Sequence, residues 1–299
     1  MTRTRRNRFS LALSTLLFVA ACGSGGTTGD EPDGPPSLAV DEQLRALLPD
    51  DVREAGTLTI ATEPSYPPAS SFAADGRTIV GFEPDLAAAL GELLGIDVEF
   101  RAEAFDTVLD GLAEGRYDAV MSAMTDTPER RATVDFVNYF RAGSAIVIQR
   151  GNPRGIHDLD GLCGETVAVE AGTVHLDLLA RSQADCGDQP IVVIESSSND
   201  DALLELRTGR ASAVLTDYPP AVVATTDQRT QTFFQLASDV QYEPGLYGIA
   251  VARDRTALRD ALTAALADLV ESGHYGHVLD DWDVASGGVS VVTVNGESA

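Results

Sequence analysis

The sequence predicts an α/β protein built from two lobes, and three observations support this prediction. Short β-branched runs alternate with helical stretches along most of the chain, a pattern typical of parallel sheets covered by helices. This alternation passes through two rounds of strand, helix, strand, helix, strand. About 260 residues follow residue 40, which is enough for two lobes of ordinary domain size.

The chain begins with a segment that has the character of an export signal. An arginine-rich start precedes a short apolar run, which predicts a signal peptide over residues 1–21. The sequence "VAAC" that ends in Cys22 matches the bacterial lipobox, so we expect Cys22 to carry lipid, with ordinary cleavage as the alternative. Residues 22–40 are rich in glycine, proline and polar residues and are expected to form a flexible tether. We therefore expect an extracytoplasmic protein whose lipid holds it at the outer face of the cell membrane.

The charge and the cysteine content exclude several classes of function. The formal net charge is −25, and such a surface repels nucleic acid. The four histidines are scattered and the cysteine spacing does not resemble a zinc site, so we expect no metal and no cofactor. If Cys22 carries lipid, Cys163 and Cys186 remain. An even pair in an exported protein favours a disulfide over two buried thiols.

The first round of elements follows short helical pieces that are interrupted at Pro49. "TLTIAT" alternates β-branched residues as a strand does, and a loop and a hairpin-like segment lead to the helix "EPDLAAALGELLG". Pro84 lies in the first turn of that helix, where proline is tolerated. The strand "DVEFRAE", the helix "FDTVLDGLAEG" and the strand "YDAVMSA" complete the round. A further helix begins in "TPERRATVDF", with Thr127 as its cap and Pro128 just inside it.

The second round repeats the same order of elements. It consists of "GETVAVEAG", "TVHLDLLARSQ", "PIVVIES", "NDDALLELRTG" and "ASAVLTD", followed by the helix start "YPPAVVATT". A strand in "YGIAVARD" and a long amphipathic helix come next and end near Trp282. Residues 284–299 are expected to form a tail, with one extra strand as the alternative.

Six motifs resemble, in their order, those of the amino-acid-binding branch of the bacterial extracellular solute-binding proteins, family 3. They are "YPPASSF", "GFEPDLAAALGELLG", "FDTVLDGLAEGRYDAVMSAMTDTPERRATVDF", "LDGLCGETVAVEAGTVHLDLL", "LLELRTGRASAVLTDYPPA" and "YGIAVARDRTALRDAL". The resemblance covers residues 44–282. Within the family, the combination of "TDTPER", "RGNP" and "LCG" is similar to the subgroup that includes a mimosine-binding protein.

This resemblance implies the type II periplasmic-binding-protein fold, in which two lobes with mainly parallel sheets flanked by helices are joined by two hinge crossings. We place the crossings near residues 146–151 and 241–248. Lobe 1 would contain residues 41–146 and 248–283, and lobe 2 would contain residues 147–247. The ligand would bind at the carboxyl ends of the strands, and the lobes would close on it. The resemblance further implies a monomeric receptor that serves the permease of an ABC importer.

The residues that would hold an amino acid follow from its two charged groups. Its carboxylate needs a planar donor fork, which Arg130 can supply bidentately, with a surface ion pair as the alternative. The neighbouring Arg131 is expected to be solvated. The resemblance assigns Asp217 to the ligand ammonium, with a simple turn role as the alternative.

The resemblance places further polar contacts around the same ligand. Thr125 and the carbonyl group of Ala123 would hold the charged groups of the ligand, with Met124 between them. Gly172, Thr173 and Val174 lie at a helix N-terminus, where backbone N–H groups and the helix dipole attract an anion.

Aromatic and acidic residues would surround the side chain of the ligand. Tyr66, Phe72 and Phe105 lie where the family places aromatic walls, and core packing is the alternative for Phe72. Glu63 and Glu170 flank the same cleft and favour a cationic or polar side chain, unless they are solvated.

Two rival functions use the same fold. Secreted dehydratases share it, and His175 could serve as a base in such an enzyme, although we expect this histidine on a helix surface. A sensor that reports its ligand to a membrane partner would also share the fold. We expect a binding protein rather than an enzyme because no catalytic domain follows Trp282 in the sequence.

Overall fold

The structure of the protein is a computed structural model that describes residues 38–298. The expected signal peptide, the expected lipid site Cys22 and residues 22–37 of the expected tether lie outside the described residues. Within the described range, no helix combines the length and the apolar character that a membrane crossing requires.

The strands of the described residues form one large sheet and one small three-stranded sheet. In chain order they are β1 (Thr57–Thr62), β2 (Ser65–Tyr66), β3 (Ser70–Phe72), β4 (Ile79–Val80), β5 (Asp97–Ala102), β6 (Ala119–Val120), β7 (Val134–Gln149), β8 (Thr166–Glu170), β9 (Val192–Ser196), β10 (Ala213–Asp217), β11 (Phe234–Leu236), β12 (Tyr242–Ala252), β13 (Gly288–Val294) and β14 (Glu297–Ser298). The small sheet contains β2, β3 and β4.

The helices follow the strands in the predicted alternation. In chain order they are α1 (Glu42–Arg45), α2 (Asp50–Ala55), α3 (Phe82–Leu94), α4 (Val108–Ala113), α5 (Pro128–Arg131), α6 (Val174–Ser182), α7 (Asn199–Arg207), α8 (Tyr218–Thr226), α9 (Thr256–Ser272) and α10 (His274–Asp281). The expected cap of α5 is confirmed, because the Thr127 side chain accepts the N–H of Arg130. Helix α3 ends at Gly95, whose φ of 66° is the left-handed conformation that glycine adopts without steric cost.

The large sheet joins two parallel groups of strands through two antiparallel strands at its centre. Its main path runs in the order β5-β1-β6-β12-β7-β10-β8-β9. β1 is parallel to β5 and β6, and β8 is parallel to β9 and β10. Strands β7 and β12 pair with each other in antiparallel fashion and connect the two groups. The predicted α/β class with mainly parallel strands is confirmed.

The buried side chains fall into separate clusters on the two sides of this connection. Along β7, residues from Val137 to Ala142 pack with the cluster that contains β1 and α3, and residues from Ala145 onward pack with β8 and β10. Along β12, Tyr242 belongs with the second group, and Tyr247 belongs with the first. In β12, the chain therefore passes from one apolar cluster to the other between Tyr242 and Tyr247, inside the expected crossing 241–248. In β7 it does so just before the other expected crossing, 146–151.

The segment after Trp282 is a strand rather than a structureless tail. After a short 3-10 turn (Ala285–Gly287), β13 pairs with β7, and β14 pairs with β13. Of the two alternatives for residues 284–299, the described part of the segment therefore takes the extra strand.

The expected disulfide is confirmed. Cys163 and Cys186 are bonded, with 23 residues of sequence separation. The bond links the turn before β8 to the residues that follow α6, and Cys186 packs in the apolar cluster of the second group.

Candidate functional site

A small cavity lies where several parallel strands end. Its walls come from the residues that end or follow β1, β6, β8 and β10, the edge at which open α/β sheets usually bind ligands. The lining residues are Glu63, Tyr66, Phe105, Ser122, Ala123, Thr125, Arg130, Glu170, Thr173, Val174, His175 and Asp217. The structure thus brings together all the predicted ligand-binding residues except Phe72, Met124 and Gly172.

The guanidinium of Arg130 is held in the cavity wall by backbone oxygens. Its Nη1 donates to the Thr125 carbonyl at 2.7 Å, and its Nη2 donates to the Gly172 carbonyl at 2.9 Å. The Phe105 ring lies 5.3 Å from its central carbon, a cation–π distance. Burial lowers the pKa of Arg130 to about 10, with Asp217 acting in the opposite direction, so the side chain remains charged at neutral pH.

Arg130 is positioned but not neutralised. Among residues 38–298, no carboxylate lies within ion-pair distance of its guanidinium, so the surface ion pair considered as an alternative is absent there. The guanidinium is fixed by backbone carbonyls, and its remaining N–H groups can still donate hydrogen bonds to a carboxylate.

The expectation that Arg131 is solvated is wrong. Its Nε pairs with Oδ1 of Asp126, whose side chain is fully buried. The other Asp126 oxygen accepts Nδ2 of Asn138 at 2.9 Å. Asp126 therefore carries a buried charge that Arg131 neutralises, and Arg131 has a structural role beside the site.

Tyr66, from β2 of the small sheet, and Asp217, from the end of β10, meet across the cavity. The Tyr66 hydroxyl donates to Oδ2 of Asp217 at 3.0 Å, and it accepts the backbone N–H of Asp217 at 3.0 Å. The hydroxyl of Thr216 also donates to it at 3.1 Å. Tyr66 therefore offers its ring as a wall and fixes the carboxylate that is assigned to the ligand ammonium.

His175 is buried in the site, so the expectation of a surface histidine is wrong. Only 2% of it is exposed, and its Nδ1 lies 3.0 Å from the Ser144 hydroxyl. Its Nε2 lies 3.4 Å from the Tyr66 hydroxyl and 3.8 Å from Oδ1 of Asp217. Burial lowers the pKa of His175, against the opposing effect of Asp217, so the imidazole is neutral at neutral pH.

A periodicity in the sequence could have revealed this burial. His175, Leu178 and Leu179 are spaced as i, i+3 and i+4 and form the buried face of α6. The histidine lies on the apolar stripe of its helix, which predicts a buried position.

Glu63 is a buried carboxylate with local partners. It accepts the N–H of Ser65 at 3.0 Å and the hydroxyl of the same serine at 2.7 Å. Burial raises the pKa of Glu63, with the bonds from Ser65 acting in the opposite direction.

Glu170 is a buried carboxyl group that lacks such partners. Only 4% of the residue is exposed, and across the described residues its Oε1 has no hydrogen-bond partner. Burial and the nearby carboxylates of Glu63, Asp217, Asp106 and Asp200, in this order, raise the pKa of Glu170 to about 9. The cavity therefore contains an acidic end, and within residues 38–298 no cationic side chain pairs with Glu63 or Glu170.

The turn after β8 closes tightly against the opposite wall. Gly172 has a φ of 75°, and a Cβ built on it would lie 2.9 Å from the Cα of Asp106. Glycine is therefore required at this position both for the backbone conformation and for the close approach. The hydroxyl of Thr173 donates to the Glu170 carbonyl at 2.7 Å and fixes the entry into α6.

The exit from β6 is held by a buried glutamate. The N–H of Ala123, a residue with a φ of 45°, donates to Oε1 of Glu83 at 2.6 Å. The hydroxyl of Ser70 donates to the other oxygen of Glu83 at 2.8 Å. The adjacent Ser122 lines the cavity and accepts the N–H of Glu63 at 3.0 Å, a contact that sequence reasoning missed.

Two residues of the predicted set lie elsewhere. Met124 is buried at 1% exposure in the apolar cluster that contains Phe136, and its carbonyl accepts the N–H of Gly248 at 3.0 Å. Phe72 is 46% exposed and does not line the cavity, so both of its expected roles, pocket wall and core packing, are wrong.

Comparisons with known proteins agree with this architecture. A family model described as "Bacterial extracellular solute-binding proteins, family 3" matches residues 58–285. The "Arginine-binding protein ArgT" of Corynebacterium glutamicum is 28% identical over 95% of this chain and 93% of that protein.

Solved structures give the same result for the fold. An ancestral arginine-binding protein bound to arginine is 32% identical, with a TM-score of 0.70 over 76% of this chain and 98% of that chain. The ancestral amino acid-binding protein AncCDT-1, described as a precursor of cyclohexadienyl dehydratase, is 29% identical, with a TM-score of 0.70 over 79% and 99%.

Proposed function

The chain belongs to the bacterial extracellular solute-binding proteins, family 3, and from this membership we propose that it captures an amino acid with a cationic side chain for an ABC importer. L-Arginine is the ligand that we propose for the cavity. The relatives compared above include proteins named for arginine binding, and that activity is extended here to this chain.

Two groups in the cavity suit the charges of any α-amino acid. The Arg130 fork would bind the ligand carboxylate, supported by the N-terminus of α6 that begins after Thr173. Asp217 would bind the ligand ammonium, because Tyr66 already fixes the orientation of its carboxylate. Thr125 and Ala123 lie beside Arg130 in the same wall and would complete the contacts to these groups.

The observation that carries the choice of a cationic side chain is the unpartnered carboxyl of Glu170. Its neighbour Glu63 adds a second acid to the same end of the cavity. A guanidinium or ammonium group would supply the cation that this end lacks, and the Phe105 and Tyr66 rings would flank it. A neutral apolar side chain would leave both carboxyl groups buried without compensation.

The proposal assigns binding rather than catalysis to this site. Both nitrogens of His175 face fixed partners, Ser144 on one side and Tyr66 and Asp217 on the other. We therefore assign this buried imidazole a place in the cavity wall rather than the role of a base. The importer partner, the monomeric state and the lipid on Cys22 are parts of the same proposal.

Calorimetric titration with L-arginine tests the proposal. We expect the parent protein to bind arginine, and Arg130→Ala and Asp217→Ala to lose affinity. Each variant leaves a charged ligand group unpaired in a buried cavity, which costs about 2 to 5 kcal/mol, or roughly thirty-fold to several thousand-fold in affinity.

Arg154→Ala is the matched control, since this arginine is 62% exposed and lies 3.8 Å from Glu165. It should bind like the parent, because exposed ion pairs contribute about 0 to 1 kcal/mol. Folded Arg130→Ala and Asp217→Ala proteins that bind arginine as tightly as the parent would contradict the proposal.

A further inference from the structure

Acids from four surrounding segments act on Glu170. Glu63 follows β1, Asp106 lies in the turn before α4, Asp200 lies in α7, and Asp217 ends β10. The Arg130 guanidinium lines the same cavity, but its Nη atoms bond to the carbonyls of Thr125 and Gly172. The carboxyl of Glu170 is thus enclosed at 4% exposure, with one oxygen unpartnered among residues 38–298.

This environment determines whether the Glu170 carboxyl is protonated in the ligand-free protein. The pKa of Glu170 is raised to about 9, first by burial and then by the surrounding carboxylates. At pH 7 the carboxyl of the ligand-free protein therefore holds its proton. A cation placed beside it reverses the balance, because an opposite charge within a few ångströms favours the ionised form.

We propose that capture of a cationic amino acid displaces the proton of Glu170, so that the protein exchanges one proton for the positive charge of the ligand side chain. The inference rests on the proposed function and adds to it a coupling between ligand binding and proton release. The O–H bond of the carboxyl breaks, the proton passes to solvent, and the carboxylate pairs with the guanidinium. Binding without the exchange would add one positive charge to the enclosed end of the cavity. With the exchange, the net charge there stays the same.

The linkage has a defined sign. Between the pKa of Glu170 in the complex and its higher pKa in the free protein, binding releases a proton, so affinity rises with pH by up to about tenfold per unit. The guanidinium of arginine stays protonated throughout this range, so the ligand side chain does not contribute to the dependence.

Titration calorimetry with L-arginine at pH 7, in phosphate and in Tris, measures the proton number directly. These buffers differ in ionisation enthalpy, so a proton released on binding gives a different apparent heat in each. We expect the release of about one proton and an affinity that rises by up to about 100-fold from pH 6 to pH 8.

Three variants locate the proton. Glu170→Gln should abolish the release and flatten the pH dependence, whereas Glu195→Gln, at an exposed position of β9, should change neither. Release that is lost in Glu63→Gln and retained in Glu170→Gln would place the proton on Glu63 and overturn the inference.

The outcomes separate this inference from the proposed function. Tight arginine binding with equal heats in both buffers, and equal affinity at pH 6 and pH 8, would overturn the proton exchange alone. A parent protein that does not bind arginine would overturn the proposed function, and the inference with it.

Discussion

Arg130 and Arg131 are neighbours in the chain, yet the structure gives them opposite roles. The motif was sufficient to place Arg130 in the site. The role of Arg131 could not be predicted, because its partner Asp126 is buried through contacts with distant segments, including Asn138 of β7. Whether a charged side chain is solvated depends on contacts between distant segments, which a single sequence does not display.

Replacement of Arg131 should therefore destabilise the protein. Arg131→Ala leaves the buried carboxylate of Asp126 with only its bond from Asn138, at a cost of about 2 kcal/mol in the free energy of unfolding. Urea unfolding measures this change, with Arg154→Ala as the exposed control. An unchanged unfolding midpoint for Arg131→Ala would show that the ion pair contributes nothing.

Glu170 should make the stability of the ligand-free protein depend on pH. Its pKa of about 9 in the folded state exceeds the ordinary value of 4.5, so the folded state holds an extra proton between these values. Stability should therefore fall as pH rises through this window.

Glu170→Gln removes this contribution, because glutamine does not ionise. Without ligand, the stability of the variant relative to the parent should rise by roughly 4 kcal/mol from pH 5 to pH 8, because each pH unit in this window is worth about 1.4 kcal/mol. Thermal unfolding at both pH values checks the prediction. A difference in stability between variant and parent that is the same at both pH values would contradict the raised pKa.

At the scale of elements, the strand ends were the most predictable part of the site. The carboxyl ends of parallel strands meet at one edge of a sheet, which predicts that Glu63 lies near Ala123 and that Glu170 lies near Asp217. The meeting of the two pairs in one cleft was predicted by the family resemblance. β13 was harder to predict, because it pairs with β7, more than a hundred residues earlier in the chain. Its pattern alone did not distinguish a strand from a tail.

The end of β13 is fixed by one side chain. Asn295 accepts the N–H of Phe136 at 2.9 Å and donates to Oδ1 of Asp135 at 3.0 Å. Its φ of 55° is a left-handed conformation that asparagine tolerates better than most residues.

Asn295→Ala should therefore lower the free energy of unfolding by about 2 kcal/mol, because it removes both bonds and leaves a partly buried N–H unpaired. Ser290→Ala, at an exposed position of the same strand, is the control and should have little effect. Chemical denaturation of both variants decides whether the segment stabilises the fold. If Asn295→Ala is as stable as the parent, the contacts of Asn295 do not stabilise the fold.

At the scale of the whole molecule, the site lies where the two groups of strands face each other. Tyr66 lies in β2 of the small sheet and packs with the apolar cluster of the first group, whereas Asp217 ends β10 of the second group. Their direct bond spans the cavity. The separate apolar clusters support the proposal of two lobes, with residues 41–146 and 248–283 in one lobe and residues 147–247 in the other. Hinge motion between these lobes, the resemblance to the mimosine-binding subgroup and the lipid on Cys22 stay predictions.

A crystal structure of the protein grown with L-arginine tests the central claim most directly. We predict one arginine molecule in the cavity, with its carboxylate on the Arg130 guanidinium and its ammonium on Asp217. Its guanidinium should lie between the carboxyl groups of Glu63 and Glu170 and pair with the unpartnered Glu170 oxygen. Arginine bound in the reverse orientation, bound elsewhere on the protein, or absent from a cavity that remains accessible in the crystal would contradict the account.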